Sequence, residues 1–568
     1  MKKVLLLVAT IISFVSTNAQ TISGNYLDLN NVKAWIGADG MLFYNALGLQ
    51  VPKGSGNNIP AVNSLWIGGV DAGNSLHLAA QTYRQTGNDF WPGPVMNPGS
   101  YSTTTDAQWN RVWKIYKTTI DSFIVFSTTG LPVGYTIPQI ILDWPGNGNV
   151  SLGQSPILAP FVDVNSDGLY NPTLNGDYPL IKGNQTVLFI FNDDRNVHTE
   201  TGGAKLGLEI IGQAYSFYCY DSAMYNTIFV HYDIINKSSI AINSVTISNW
   251  IDIDLGAGDY FGTDVTRGAY YFYKGDTLGT GSYGVNAPAE GVVFLRGPLS
   301  DPTGLDEPAN STPNGMGYGD GIVDNERLGM NKTLSFVNTA SSQNGNPTVP
   351  SEYYNYMNGI WKDGVPLSYG GNGYLTGVNS DYIFPWNSDP LGFGTSGIPQ
   401  SPWDQSILGT TSSDIRGIGS YGSFTMQPGS VTEIDFAYVF GRDYVNPGNL
   451  PGVAVLKTRI DSIKSYFNNN ITPCGQPLFA SIQNSANISS PDLFIYPNPA
   501  SNNITINFTS TSKNISIKLF DATGRLVKNI TNAKSGENNI SISELENGLY
   551  LINVNDGKSS VTKRFVKQ

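Results

Sequence analysis

A period-two alternation of apolar and polar residues dominates the end of the chain. Ile504, Ile506 and Phe508 alternate with polar residues, as do Ile515, Ile517 and Leu519, and Ile540 and Ile542 continue the rhythm. One apolar face in every two residues marks a half-buried strand. Asp521-Ala522-Thr523-Gly524 and Glu546-Asn547-Gly548 supply turns between such strands. The pattern predicts about seven short strands in a small immunoglobulin-like sandwich over residues 491–568. Further upstream the alternation is only partial. Thr227–Ile235, Ile240–Trp250 and Glu433–Phe440 are rich in β-branched and aromatic residues and are separated by Gly, Pro and Asn clusters. They predict a large, mainly β core of sandwich type. A single helix is predicted near its end, where Val453, Leu456, Ile460, Ile463 and Phe467 recur at three- and four-residue steps.

The first residues follow a different rule. Lys2 and Lys3 precede an apolar run from Val4 to Val15, and small residues follow up to Ala19. This is the layout of a secretory signal peptide, with cleavage expected between Ala19 and Gln20. The run is too short to span a bilayer stably, and no transmembrane segment is expected in the mature chain. The division of the chain is therefore residues 1–19 as signal peptide, 20–467 as core (one or two subdomains), 468–490 as a Pro/Asn/Ser-rich linker, and 491–568 as the terminal sandwich.

Composition supports a loop-rich extracellular β protein: 13% charged residues against 12% aromatic, with 63 Gly and 32 Pro. Net charge is -12. Both the first 19 residues and residues 490–568 are net positive, so the acid is concentrated in the middle. That placement argues against nucleic acid or an anionic membrane as partner. It suits cation binding or solubility. Cys219 and Cys474 lie in unlike contexts and are expected to be unpaired, although an exported chain permits the one disulfide they can form.

Calcium is the most specific chemistry in the core. Asp163-Val164-Asn165-Ser166-Asp167-Gly168 matches the first half of an EF-hand-type loop, in which oxygen ligands alternate and Gly permits a sharp turn. Position twelve is Leu174 rather than Glu, so Asp177 or a more distant residue would have to close the site. Asp252, Asp254, Asp259 and Asp264 form a second acidic group, and Asp320, Asp324 and Glu326 a third. Structural Ca2+ is the expected cofactor at all three. The alternative at each is a solvated Asx-rich turn.

Catalytic signatures are thin. His77, His198 and His231 are far apart in sequence, and neither a zinc-protease nor a nucleophile-elbow motif occurs. Gly279-Thr280-Gly281-Ser282-Tyr283-Gly284 and Gly417-Ile418-Gly419-Ser420-Tyr421-Gly422 both fit G-x-G-x-x-G but open no helix and are expected to be turns. Tyr353, Tyr354, Tyr356, Trp361, Trp386 and Trp403 can form a sugar-stacking platform, or can fill gaps under loops, which is the preferred expectation.

Four segments of the terminal sandwich together resemble a known family. They are Tyr496-Pro497-Asn498-Pro499, Leu519 to Val527 with Gly524, Leu545 to Tyr550 with Gly548, and the basic end Lys563-Arg564-Phe565-Val566-Lys567. In order, they resemble the type A sorting domain of type IX secretion cargo in Bacteroidota. The resemblance implies recognition by the type IX secretion machinery and its sorting and cleavage enzyme, with the cargo then anchored to surface polysaccharide or released. Leu65 to Gly69, Asn88 to Pro94, and Asp252-Ile253-Asp254-Leu255-Gly256 resemble segments of large surface proteins that share this domain, and that likeness implies no activity. Three roles stay open for the core: a surface binding or adhesion module stabilised by calcium, a secreted hydrolase acting on polysaccharide or protein, and a structural surface component.

Overall fold

Strands buried on both faces make up the centre of the molecule. In a computed structural model, residues 22–45, 48–129, 134–256, 258–275, 283–406, 408, 412–478, 493–508, 515–521, 526–555 and 560–568 are described. The signal peptide, its cleavage site at Ala19 and Gln20, and the sorting-motif residue Gly524 lie outside them, as does Gly279 to Ser282. Thr227–Asn236 and Val431–Gly441 pair antiparallel, with His231 opposite Asp435. Val230, Tyr232, Ile434, Phe436 and Tyr438 point to one side and join the largest apolar cluster. Phe229, Ala437 and Val439 point to the other side and join a second cluster. A strand covered on both faces reads as a nearly continuous apolar run, which is why the alternation was only partial in the sequence.

These two strands belong to a nine-stranded sheet. Its order runs from Asp259–Asp264 through Ala269–Lys274, Ala289–Arg296, Val431–Gly441, Thr227–Asn236 and Leu208–Ser216 to Gln185–Asn192, which carries Trp91–Pro92 and Trp113–Tyr116 on its outer edge. A five-stranded sheet stacks on it in the order Lys332–Val337, Ile415–Met426, Ile242–Ile253, Ala61–Val70 and Leu76–Ala80. The core is thus mainly β and of sandwich type.

Glycines allow the close approach of the two sheets. A Cβ on Gly417 would lie 2.5 Å from the Phe261 ring, and one on Gly419 2.7 Å from Tyr270 and 2.9 Å from Phe294. The segment Gly417 to Gly422 is therefore not a turn, as the sequence had suggested, but the middle of the strand Ile415–Met426. Its glycines leave room for rings of the facing sheet. Replacing Gly419 with Val is expected to destabilise the core by about 1–3 kcal/mol through overpacking. Urea unfolding with an unchanged midpoint would contradict that packing.

The expected helix spans Leu450–Asn468 and buries Val453, Leu456, Ile460, Ile463 and Phe467 against the outer face of the nine-stranded sheet. Additional helices cover the far end, where Thr103–Trp109, capped by Ser102, and Lys117–Thr129 close over Leu188, Ile190 and Ile211. Pro350–Met357 covers the five-stranded sheet. Cys219 and Cys474 form a disulfide with a Cα–Cα separation of 5.8 Å, which corrects the expectation of unpaired cysteines. Cys219 and Leu478 are part of the second cluster. The core therefore reaches Leu478 rather than ending at residue 467, and residues 479–490 of the expected linker lie outside the described residues.

The terminal sandwich is the one its alternation predicted. Phe494–Tyr496, Asn503–Phe508 and Gly536–Ser541 form one sheet. Leu526–Ala533, Ile515–Asp521, Gly548–Asn555 and Ser560–Lys567 form the other. Ile504, Ile506, Phe508, Ile515, Ile517, Leu519, Ile540 and Ile542 are all buried between them.

Candidate functional site

One concavity of the core is built by segments remote in sequence. The strand Lys33–Gly37 brings in Trp35, and the turn after it brings Asp39 and Met41. The segment after Leu76–Ala80 brings Arg84, Asn88 and Trp91, and Asp106 and Arg195 close the far wall. The cleft holds about 500 Å3. Trp35 and Trp91 are half-buried along it, and Tyr44 is 41% exposed.

Both arginines are fixed in place. Arg84 donates to Asp39 at 2.8 Å, to Asn88 Oδ1 at 2.7 Å and to the Phe90 carbonyl at 3.1 Å. Its backbone sits at φ 59°, a left-handed conformation that costs a non-glycine residue energy and that these bonds hold. Arg195 grips Asp106 through two parallel bonds of 2.8 and 3.0 Å. Burial pushes the Asp39 carboxyl up from its ordinary value, against the pull of Arg84. The Asp106 pairing raises the Arg195 guanidinium further. Flat apolar faces flanked by fixed planar donors suit a polyhydroxylated ring. Sequence reasoning missed this cleft, although the segment Asn88 to Pro94 that carries Trp91 had stood out as a resemblance.

Tyr83 connects the cleft to an acidic group. Its ring lies 6.3 Å from that of Tyr44, and its hydroxyl donates to Asp252 at 2.5 Å. Asp252 also pairs with Arg416 at 3.0 Å. Asp254 and Asp414 bring one carboxylate oxygen each to within 4.8 Å of an Asp252 oxygen. Asp259 is buried close by, and its carboxylate accepts from the Leu255 amide at 3.1 Å. Asp264, grouped with these in sequence, is turned elsewhere. It pairs with Arg267 at 2.9 Å and with Lys457 of the long helix at 3.5 Å.

The other two acidic loops bond largely to their own backbone. Asp163 accepts from the Asp167 and Gly168 amides, Asn165 from Asp167, and Asp167 from Leu169. Asp177, fully buried, accepts from Val164 and Asn171 and so ties the two ends of that loop together. In the third loop Asp320 accepts from Ile322, Asp324 from Thr303 and Gly304, and Glu326 from Glu307. There, Glu326 Oε2, Glu307 Oε2 and Asn325 Oδ1 are buried without a hydrogen-bond partner.

Each histidine is tied by hydrogen bonds within the fold. His198 is held between the Leu78 and Asp193 carbonyls at 2.7 and 2.8 Å. His231 bonds Asp435 at 2.9 Å across paired strands. His77 reaches Asp71 at 3.4 Å. Tyr353, Tyr356, Trp361 and Trp403 are buried and fill the core, as preferred for them, while Tyr354 and Trp386 are half-buried.

In the terminal sandwich the motif residues join the beginning of the domain to its end. Asn498 accepts from the Val566 amide at 2.7 Å, and Ala500 and Val566 bond through their backbones. Tyr496 donates to Glu537 at 2.8 Å, and Tyr550 stacks on Phe565 with centroids 5.4 Å apart. Lys563 is exposed on the last strand; the side chain of its neighbour Arg564 lies outside the described atoms. A Tyr-Pro-Asn-Pro start and a basic end therefore belong to one structural unit. No helix among the described residues is long and apolar enough to cross a membrane.

This terminal sandwich defines an exported protein. Residues 494–568 match the family model of the secretion system C-terminal sorting domain, and the chain is a type IX secretion cargo destined for the cell surface or the extracellular space. The domain implies interaction with the type IX machinery. Among solved structures, a DUF3244 family protein with an immunoglobulin-like β-sandwich from Bacteroides vulgatus is 19% identical, over 13% of this chain and 84% of that one, at a TM-score of 0.12. A polysaccharide lyase is 7% identical over 69% of this chain and 37% of its own, at 0.20. Dimeric latent PorU from Porphyromonas gingivalis is 11% identical over 67% and 31%, at 0.14. This chain thus spans about a third of the length of the last two, and scores this low carry no argument about the core. A search of curated proteins finds no match.

Proposed function

We propose that the core is a secreted binding module that adheres to a polysaccharide through the Trp35–Tyr44–Trp91 cleft and is stiffened by calcium. The observation that carries this reading is the set of incompletely buried rings around two arginines, each held by its own carboxylate. A hydrolase of glycosidic bonds needs one protonated carboxyl and one free carboxylate across the substrate. Asp39 and Asp106 are both committed to guanidinium partners, which favours binding over cleavage. Assembly through open sheet edges is less well supported, because the edge strand Lys332–Val337 is covered: the Thr333 amide donates to the Asp381 carbonyl at 2.9 Å. Calcium draws support from the partnerless buried oxygens of Glu307, Asn325 and Glu326 beside Asp320 and Asp324. In the Asp163, Asn165, Asp167 and Asp177 loop it would compete with the bonds described above. Passage through the inner membrane by way of the signal peptide of residues 1–19 completes the proposed route.

The test is incubation of the full-length chain with insoluble polysaccharides in calcium. Depletion of the protein and release of soluble fragments would both be followed. Depletion without fragments is expected, and Trp91→Ala or Trp35→Ala should weaken it about tenfold each, the equivalent of ~1.4 kcal/mol. Soluble fragments would overturn binding in favour of hydrolysis.

A further inference from the structure

We propose that Asp252, Asp254 and Asp414, backed by Asp259, bind one calcium ion that ties the two core sheets together at one end. Asp252 lies in the last turn of pairing between Ile242–Ile253 and Ile415–Met426, opposite Arg416. Asp414 directly precedes the second of these strands, and Asp254 directly follows the first. Asp259 opens the first strand of the other sheet, and its amide donates to the Ser413 carbonyl at 3.1 Å. The nine-stranded sheet is thereby joined to the residue beside Asp414.

One oxygen from each of Asp252, Asp254 and Asp414 lies within 4.8 Å of the others. Ligands that sit 2.3–2.6 Å from a common calcium ion are spaced about this far apart or less. An independent observation concerns the oxygens that no protein group satisfies. Asp252 Oδ1 and Asp259 Oδ1 are buried without a hydrogen-bond partner, on residues only 8% and 2% exposed. Buried carboxylate oxygens are costly unless paired or bound to a metal.

Nearby donors leave these oxygens free. Arg416 and Tyr83 both bond Asp252 Oδ2. Arg416 also pairs with Asp414 Oδ1, and Asn338 donates to Asp414 Oδ2 at 3.0 Å. Four carboxylates face the Arg416 guanidinium and Lys274, which pairs across the strands from Asp259, so a divalent cation still meets net negative charge. Oxygen-only donors in an irregular, half-open arrangement suit calcium better than the strict octahedron of magnesium. Asp254 and Asp414 are exposed, which leaves room for water in the remaining positions. Through Tyr83 the ion would also brace the segment that carries Arg84 into the cleft.

This inference rests on the calcium part of the proposed function and not on the saccharide part. Calorimetric titration of the full-length chain with CaCl2 alone tests it, together with Tb3+ emission sensitised through Tyr83. The Asp254→Asn/Asp414→Asn double variant, altered at two exposed positions, is expected to lose one bound equivalent and most of the sensitised emission. Asp163→Asn should leave that emission unchanged. Tyr83→Phe should keep the equivalent but dim the emission, a readout that survives if the double variant folds poorly. A double variant that binds as many ions as the parent overturns this site while leaving calcium in place elsewhere. A parent chain that binds none overturns both the site and the calcium reading, and leaves saccharide binding to its own test.

Discussion

Removing residues 494–568 is expected to leave a folded core that never reaches the outside of the cell. The apolar clusters of the core are made entirely from residues up to Leu478, whereas the terminal sandwich has its own cluster, from Leu493 to Phe565. Truncation therefore takes away the recognised domain without opening the core. Fractionation followed by immunoblotting should show near-complete loss from the surface and medium and accumulation in the periplasm. The remaining chain should still resist proteolysis. An unchanged surface amount would sink the assignment of export to this domain. A smaller change, Asn498→Ala, should loosen the domain by removing the acceptor for the Val566 amide.

The second large effect is expected from the disulfide. Cys219 and Cys474 are 255 residues apart, and a bond closing so long a loop restricts the unfolded chain strongly. In the chain-entropy account its loss costs about 5 kcal/mol, the upper end for such bonds. Cys474→Ser should lower the unfolding midpoint markedly, and reductant should do the same to the parent protein. Residues from Asn469 to Leu478 should become susceptible to proteolysis first, because the bond and the burial of Leu478 hold them on the outer face of the sheet. A midpoint indifferent to reductant would mean that packing alone carries this face. The pairing itself agrees with export, since such bonds persist in oxidising compartments.

Legibility in the sequence followed the number of faces that each element buries. Ile504, Ile506 and Phe508 pack on one side and meet solvent on the other, so their alternation could be read directly. The long helix has one buried stripe, and the steps from Val453 to Phe467 located it. Gln185–Asn192 is buried throughout, which erases its rhythm. The helices Thr103–Trp109 and Lys117–Thr129 were missed because they cover the end of a sheet with only a few apolar positions. Gly417 and Gly419 matched a G-x-G-x-x-G spacing, yet they serve ring packing between sheets, something a spacing rule cannot distinguish.

The candidate site was legible only in fragments. Asp252, Asp254 and Asp259 stood out because they are close in sequence. Asp414 and Arg416 reach the same place only through strand pairing, and Asp264, equally close in sequence, is drawn away by Arg267 and Lys457. The cleft gathers Trp35, Arg84, Trp91, Asp106 and Arg195 from widely separated segments. No local pattern ties them together, and the ion pairs that give them meaning exist only in the fold.

The position of Cys474 also limits what the cell can do with the protein after export. Fewer than twenty residues separate it from Leu493, where the terminal sandwich begins. Even fully extended, at about 3.4 Å per residue, that tether reaches roughly 65 Å. The passenger is therefore held within about two domain diameters of whatever grips its tail. A peptidase that severs the tether downstream of Leu478 leaves the covalent ring through Cys219 uncut, so the freed passenger keeps the stability it had before release.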